Sequence, residues 1–273
     1  MNPEFATKLE GLDLPEDVKN KIAEMLKRRL RFLFIGRSGV GKSHTINSLF
    51  RKEVAKVGKY HPTTLDVTTY DGDIHGIEFT FIDSPGLADS DPENDQKYIE
   101  LIKSKAGDPD LFCFVTRLND TRVSRDEQDT IKVLSKTLSS ETWKRSLIIF
   151  THANSVPLSD YPDAKQQRSR LIQNEFSKHL GAEIGNAIPS VCIENTADST
   201  PDGKPWRGEL LTASIERLSD RALPGFLQIL MNRDTTEQVF DPAQIERVGK
   251  RVEKSIELKE VATAGGMVLA EPV

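Results

Sequence analysis

The chain has 273 residues, of which 37% are apolar and 29% charged, with a formal net charge of -5. That length suits one large α/β domain, or one domain carrying helical extensions. The slight acidity argues against a duplex nucleic acid as partner, because duplex binding normally shows a basic face; Lys27-Arg28-Arg29 is only a local basic patch.

In chain order, residues 14–30 read as an amphipathic helix. Pro15 fits a first turn, and Val18, Ile22, Met25, Leu26 and Leu30 recur at helical spacing. A short apolar strand follows at 31–35, then a Gly-rich turn and a helix at 43–50. Alternation at 65–70 and 77–82 predicts two paired strands joined around Asp71-Gly72-Asp73. Helices are expected at 95–105, 124–138, 164–180 and 209–219, and buried strands at 110–116, 146–150 and 188–193. A helical piece at 223–231 precedes a charged helix at 244–261 with an apolar stripe at Ile245, Val248, Val252 and Ile256. Two loops, 88–94 and 196–207, are long and polar, which in such folds often marks function.

Strands alternating with helices predict an α/β fold of the P-loop NTPase (Ras-like) class: a mostly parallel sheet with helices on both faces, plus N- and C-terminal helical extensions. Cys113 and Cys192 lie in or beside apolar runs and read as buried, reduced thiols, which suits an intracellular setting. No signal peptide opens the sequence, and it contains no run of 18 apolar residues. A transmembrane segment is therefore not expected in this chain.

The segment Gly36-Arg37-Ser38-Gly39-Val40-Gly41-Lys42-Ser43 fits G-x-x-x-x-G-K-[ST], between a predicted strand and a predicted helix. Its glycines allow the backbone to turn several N–H groups toward phosphate oxygens, and the helix N-terminus adds its positive end. Lys42 is placed to reach the β- and γ-phosphates, and the Ser43 hydroxyl is an oxygen ligand for Mg2+. Ser38 is a candidate contact to the γ-phosphate or to a partner, and His44 projects beside the α-phosphate. Downstream, Asp83-Ser84-Pro85-Gly86 is a D-x-x-G element after an apolar strand. Asp83 is expected to hold the Mg2+ shell through water, and the Gly86 N–H to sense the γ-phosphate. Between the two motifs, Thr63 and Thr64 compete for the role of a switch threonine closing over Mg2+; Thr64 is preferred.

The usual base-reading motif of such proteins, Asn or Thr, then Lys, any residue and Asp, is missing. Its place is taken by Phe150-Thr151-His152-Ala153-Asn154-Ser155. Guanine offers two N–H donors on one edge, which a carboxylate can accept together; adenine turns a lone pair toward the same group, a mismatch of roughly 1–3 kcal/mol. The next strand ends in Ile193-Glu194-Asn195-Thr196, and in this fold that end lies beside the base. Glu194 is thus the candidate carboxylate, Asn195 a candidate amide contact, and His152 a flat surface for the purine. A P-loop ATPase or kinase remains the rival reading.

In order, GRSGVGKS, DSPGL, FTHAN and IENT resemble the septin-related GTPases, including the GIMAP proteins and, more closely, the Toc receptor GTPases of the chloroplast outer envelope. The loop PDGKPW (201–206) and the segment Arg117 to Val123 carry the same likeness, which spans about 31–223. The resemblance implies a GTP-binding fold using GTP/GDP and Mg2+, with His152, Glu194 and Asn195 at guanine. It implies that GTP-bound domains pair face to face across the nucleotide as a homodimer, with Arg122 approaching the partner's site. The domains expected are a helical extension at 1–30, a GTPase domain at 31–222 and a helical extension at 223–273.

Where many GTPases carry a water-orienting Gln, this chain has Leu87, which predicts slow intrinsic hydrolysis. Lys42, Thr64, Gly86 and Arg122 are the expected catalytic set. The alternative is a GTP-gated scaffold or membrane-surface receptor whose hydrolysis is incidental. A further, unidentified protein partner is expected, and the location is cytoplasmic, with peripheral membrane association open.

Overall fold

A computed structural model of the chain describes residues 28–55, 67–86, 100–102, 104–105, 107–219, 222–223, 226, 236 and 239–256. Most of the expected helix at 14–30 lies outside the described residues. So do Thr63, Thr64, Leu87, the loop at 88–94, most of 223–231 and residues 257–261.

Six strands form one sheet: β1 (Leu30–Ile35), β2 (Thr68–Ile74), β3 (Ile77–Asp83), β4 (Leu111–Arg117), β5 (Ser146–Thr151) and β6 (Ser190–Cys192). Their spatial order is β2-β3-β1-β4-β5-β6. Only the β2–β3 pair is antiparallel. The helices are α1 (Lys42–Phe50), α2 (Arg125–Thr137), α3 (Ser140–Lys144), α4 (Tyr161–Leu180), α5 (Ala182–Gly185), α6 (Trp206–Arg217) and α7 (Pro242–Ile256). This is the expected Ras-like α/β class.

Strand parity divides the core. Leu30, Phe32 and Phe34 of β1 face a layer built from α1, α6 and Val248 of α7, while Leu33 and Ile35 face Ile131, Trp143 and Phe176 of α2, α3 and α4. Both faces being covered, β1, β4 and β5 read as almost unbroken apolar runs. The edge strand β2 instead alternates between half-buried and exposed residues.

The sequence places the β2–β3 connection too early. β2 runs on through Asp71-Gly72-Asp73, and the turn falls at His75-Gly76, whose φ values are 52° and 86°. The reason is packing: the Phe50 ring lies over Gly72, where a Cβ would sit 2.3 Å from Cε1. Gly72 is thus a close-approach glycine inside a strand, not a turn glycine.

Helix starts follow their caps. Ser124 and Glu127 form a reciprocal capping box at α2. Asp241 and Gln244 make the same exchange at α7, so that helix begins two residues before the expected 244. α7 is packed on α6: Phe240 and Val248 enter the core, Gln244 Nε2 donates to Glu209 Oε2 at 3.1 Å, and Arg247 pairs with Glu216 at 2.8 Å.

Candidate functional site

The loop from 36 to 41 joins β1 to α1. Gly41 caps the helix with φ 99°, a left-handed conformation that a side chain would strain. Lys42 curls back over this loop, its Nζ donating to the carbonyls of Gly36 at 2.9 Å and Arg37 at 3.1 Å. The first turn is braced by Thr45, whose Oγ1 donates to Gly41 O at 2.9 Å. Ser38 is half-buried and His44 exposed.

β3 delivers Asp83 to the same place. Ser43 Oγ donates to Asp83 Oδ2 at 2.5 Å, and Asp83 is fully buried. Ser84 pins the strand end by donating to Phe34 O at 2.9 Å, and Gly86 follows at the end of the described segment. A serine hydroxyl and a carboxylate in contact are a pair of hard oxygen donors, the chemistry Mg2+ takes. The donor chemistry of these two residues fits that ion.

The other side of the cleft is built from the ends of β5 and β6. Thr151 is fully buried and donates to Val40 O at 2.6 Å, tying β5 to the phosphate loop. With its proton committed there, Thr151 Oγ1 accepts from His152 Nδ1 at 2.9 Å, which leaves Nε2 as the acceptor of the neutral ring. His152 sits in a left-handed conformation, φ 57°. Burial and the nearby Arg117 guanidinium lower its pKa, against the pull of Glu194. The ring is therefore neutral at pH 7, suited to lie on a purine.

Glu194 is 6% exposed. Its Oε1 accepts from the Thr196 hydroxyl at 2.7 Å and the Thr196 amide at 3.1 Å; its Oε2 accepts the Asn154 amide at 3.0 Å. Burial works against ionisation, but these three bonds and His152 outweigh it and lower the pKa. Each carboxylate oxygen can accept twice, so Oε2 keeps one accepting position. Asn195 turns the other way. Its Nδ2 donates to Thr45 Oγ1 at 3.1 Å and Gly41 O at 3.3 Å, and its Oδ1 is buried with no hydrogen-bond partner among the described residues. The two neighbours thus serve different walls: Glu194 the loop after β5, Asn195 the phosphate loop.

Arg122 is exposed on the loop after β4. Arg117, at the start of that loop, donates from Nη2 to Gly39 O at 2.6 Å, and Asp120 pairs with Arg37 at 3.5 Å. Sequence reasoning gave no role to Arg37, Thr151, Arg117, Asp120 or Arg168. Only Glu127 left a local trace, as the fourth residue of its capping box. Arg168 shows as a charge on the buried Tyr161, Ile172 and Phe176 stripe of α4. Both cysteines are buried and free, with the Cys192 thiol pushed up to about 11 by burial.

A family model described as the AIG1 family matches residues 30–185. Translocase of chloroplast 159 from Arabidopsis thaliana is 28% identical over 206 residues, covering 67% of this chain and 14% of that protein. The chain spans less than a quarter of the length of the first curated relatives it matches. Toc33 from Arabidopsis thaliana, solved with GDP and Mg2+, superposes with a TM-score of 0.60 at 23% identity, over 78% of this chain and 95% of that one. A structure described as showing that dimerization is important for the GTPase activity of the chloroplast translocon components atToc33 and psToc159 superposes with a TM-score of 0.59 at 23% identity, over 74% and 90%. At that identity the likeness establishes the fold.

Proposed function

The chain belongs to the AIG1 family, and on that premise we propose that it is a Mg2+-dependent GTP-binding protein that hydrolyses GTP to GDP and phosphate slowly and acts as a dimerising nucleotide switch. The observation that carries this reading is the convergence, at the ends of β1, β3, β5 and β6, of a phosphate loop, the Ser43–Asp83 oxygen pair and an ionised Glu194 beside a neutral His152. Such a crevice at the carboxyl ends of parallel strands is where open α/β sheets bind ligands.

Within this reading the amides of 36–43 and Lys42 hold the phosphates, and Mg2+ on Ser43 neutralises their charge. Asp83 orients that ligand shell, Thr64 closes over it and Gly86 senses the γ-phosphate. Glu194 accepts from the guanine edge through Oε2, His152 lies on the purine plane, and Asn195 sets the height of the phosphate loop beneath it. Arg122, exposed on its loop, reaches a second copy's site; the relatives described as dimerising for activity support this. Leu87 leaves the attacking water without a side-chain orienter in cis, hence slow turnover.

Among the described residues no helix is long and apolar enough to cross a membrane. We place the protein in the cytoplasm at a membrane surface, in keeping with relatives named as translocases of chloroplast. The division into 1–30, 31–222 and 223–273 belongs to the same reading, with α7 docked on the domain through α6.

Competition among GTP, GDP and ATP, with turnover followed over a range of protein concentration, tests the proposal. Guanine preference and a rate per molecule that rises with concentration support it. ATP preference overturns it. Leu87 favours one second reading, a GTP-gated scaffold, for which guanine binding persists while the rate stays flat and near zero.

A further inference from the structure

The loop carrying Arg122 is held from below by one buried side chain. Arg168 of α4 is 2% exposed. Its Nε donates to Arg117 O at 3.1 Å and its Nη1 to Arg122 O at 2.8 Å, so a single guanidinium grips both ends of the loop. Its Nη2 donates to Thr116 Oγ1 at 2.9 Å and to Glu127 Oε1 at 2.5 Å. Glu127 in turn accepts from the Ser124 amide at 2.8 Å, fixing the point where the loop enters α2. The charge is thus paired and its donors are spread over three elements.

The same loop is fastened to the phosphate loop from above. Asp120 lies 3.5 Å from Arg37 and 3.9 Å from Arg168, between the two. Arg117 reaches Gly39 O. Arg122 contributes only its backbone carbonyl to this frame, and its residue stays exposed.

We propose that Arg168 is a positioning residue for Arg122: by gripping the carbonyls of Arg117 and Arg122 it sets the attitude of the 117–122 loop, and Asp120 couples that attitude to the phosphate loop. The inference rests on the reading of Arg122 as the residue offered to a second copy's nucleotide site. A planar, forked donor is needed, because the two carbonyls and the Glu127 carboxylate approach from different directions. The ammonium of a lysine presents its donors from one point and cannot span them.

The test compares wild type, Arg168→Lys, Asp120→Ala, Arg122→Ala and the double variant Arg168→Lys/Arg122→Ala. Each is measured for Mg2+-GDP affinity, for thermal unfolding and for GTP turnover per molecule against protein concentration. Arg168→Lys is expected to lower the concentration-dependent part of turnover by roughly 10- to 100-fold, as a misplaced group does, with GDP affinity nearly unchanged. In the Arg122→Ala background it should add no further loss, since both changes remove the same contribution. Asp120→Ala should act in the same direction and less strongly. If Arg168→Lys does not fold, Asp120→Ala in both backgrounds decides by the same comparison. Full concentration dependence in these variants, or an equal loss with and without Arg122, overturns the proposal. If Arg122→Ala itself leaves concentration dependence intact, the dimer reading of Arg122 falls first.

Discussion

Glu194 accepts the backbone N–H of Asn154 at 3.0 Å, so one carboxylate joins the loop after β6 to the loop after β5. The segment that looks defective in the sequence, Thr151-His152-Ala153-Asn154, is tied to a carboxylate 40 positions away. The carboxylate is held rigid and ionised by the loops it would serve, which is preorganisation for reading a base edge.

Two substitutions at Glu194 separate its duties. Glu194→Ala strips the acceptor from the Asn154 and Thr196 amides, and should destabilise the fold by roughly 0.5–1.5 kcal/mol for each bond lost, because both residues are exposed and water can take the acceptor's place. Glu194→Gln retains one acceptor but adds a donor, and should keep more of the stability while losing preference for GTP over ATP. Chemical unfolding and nucleotide competition read the two effects. A Gln variant that still prefers guanine would show that the carboxylate is only a brace.

Ser43→Ala should make nucleotide binding indifferent to magnesium. The hydroxyl that meets Asp83 is lost, and metal affinity should fall by at least the roughly 10- to 100-fold typical of losing an outer partner. GDP titrations with Mg2+ and with a chelator provide the comparison. The variant should match wild type in chelator and fall behind it only when the metal is present.

Gly72→Ala should cost about 1–3 kcal/mol by overpacking. The new methyl would lie 2.3 Å from the Phe50 ring, which cannot retreat because it packs on Phe81 with ring centroids 4.8 Å apart. Combining it with Phe50→Leu should recover part of that loss. Strictly additive denaturation midpoints would mean that the ring and the glycine are not in conflict.

Acidification should weaken the fold in two stages. His152 and Glu194 both have lowered pKa values in the folded chain, from ordinary values of 6.5 and 4.5. Below each ordinary value the unfolded chain binds more protons than the folded one, so stability present above it is lost as pH falls toward the folded value. Unfolding midpoints measured from about pH 7.5 to about pH 4 should show His152→Gln losing less than wild type just below 6.5. Parallel curves there would mean that the imidazole is not held neutral.

The fold class was legible because its signal is periodic and local. Apolar strands and amphipathic helices are set by residues a few positions apart; the caps Ser124–Glu127 and Asp241–Gln244 are as local, but were not read, and the second moves the start of α7. The misplaced turn shows the limit. Asp71-Gly72-Asp73 has turn chemistry, yet the ring of Phe50 claims Gly72 for the strand, and nothing near Gly72 in the sequence announces that ring.

The sequence by itself marked out the candidate phosphate loop and the candidate carboxylates, because a phosphate-loop pattern and strand-end acids are contiguous strings whose chemistry travels with them. Only the tertiary structure decided how the parts are held. Thr151 reaches Val40 across 111 residues, and Arg168 reaches Arg122 across 46 and Thr116 across 52. A buried hydrogen bond of that kind depends on where two distant backbones meet, and adjacent residue types do not encode that meeting point.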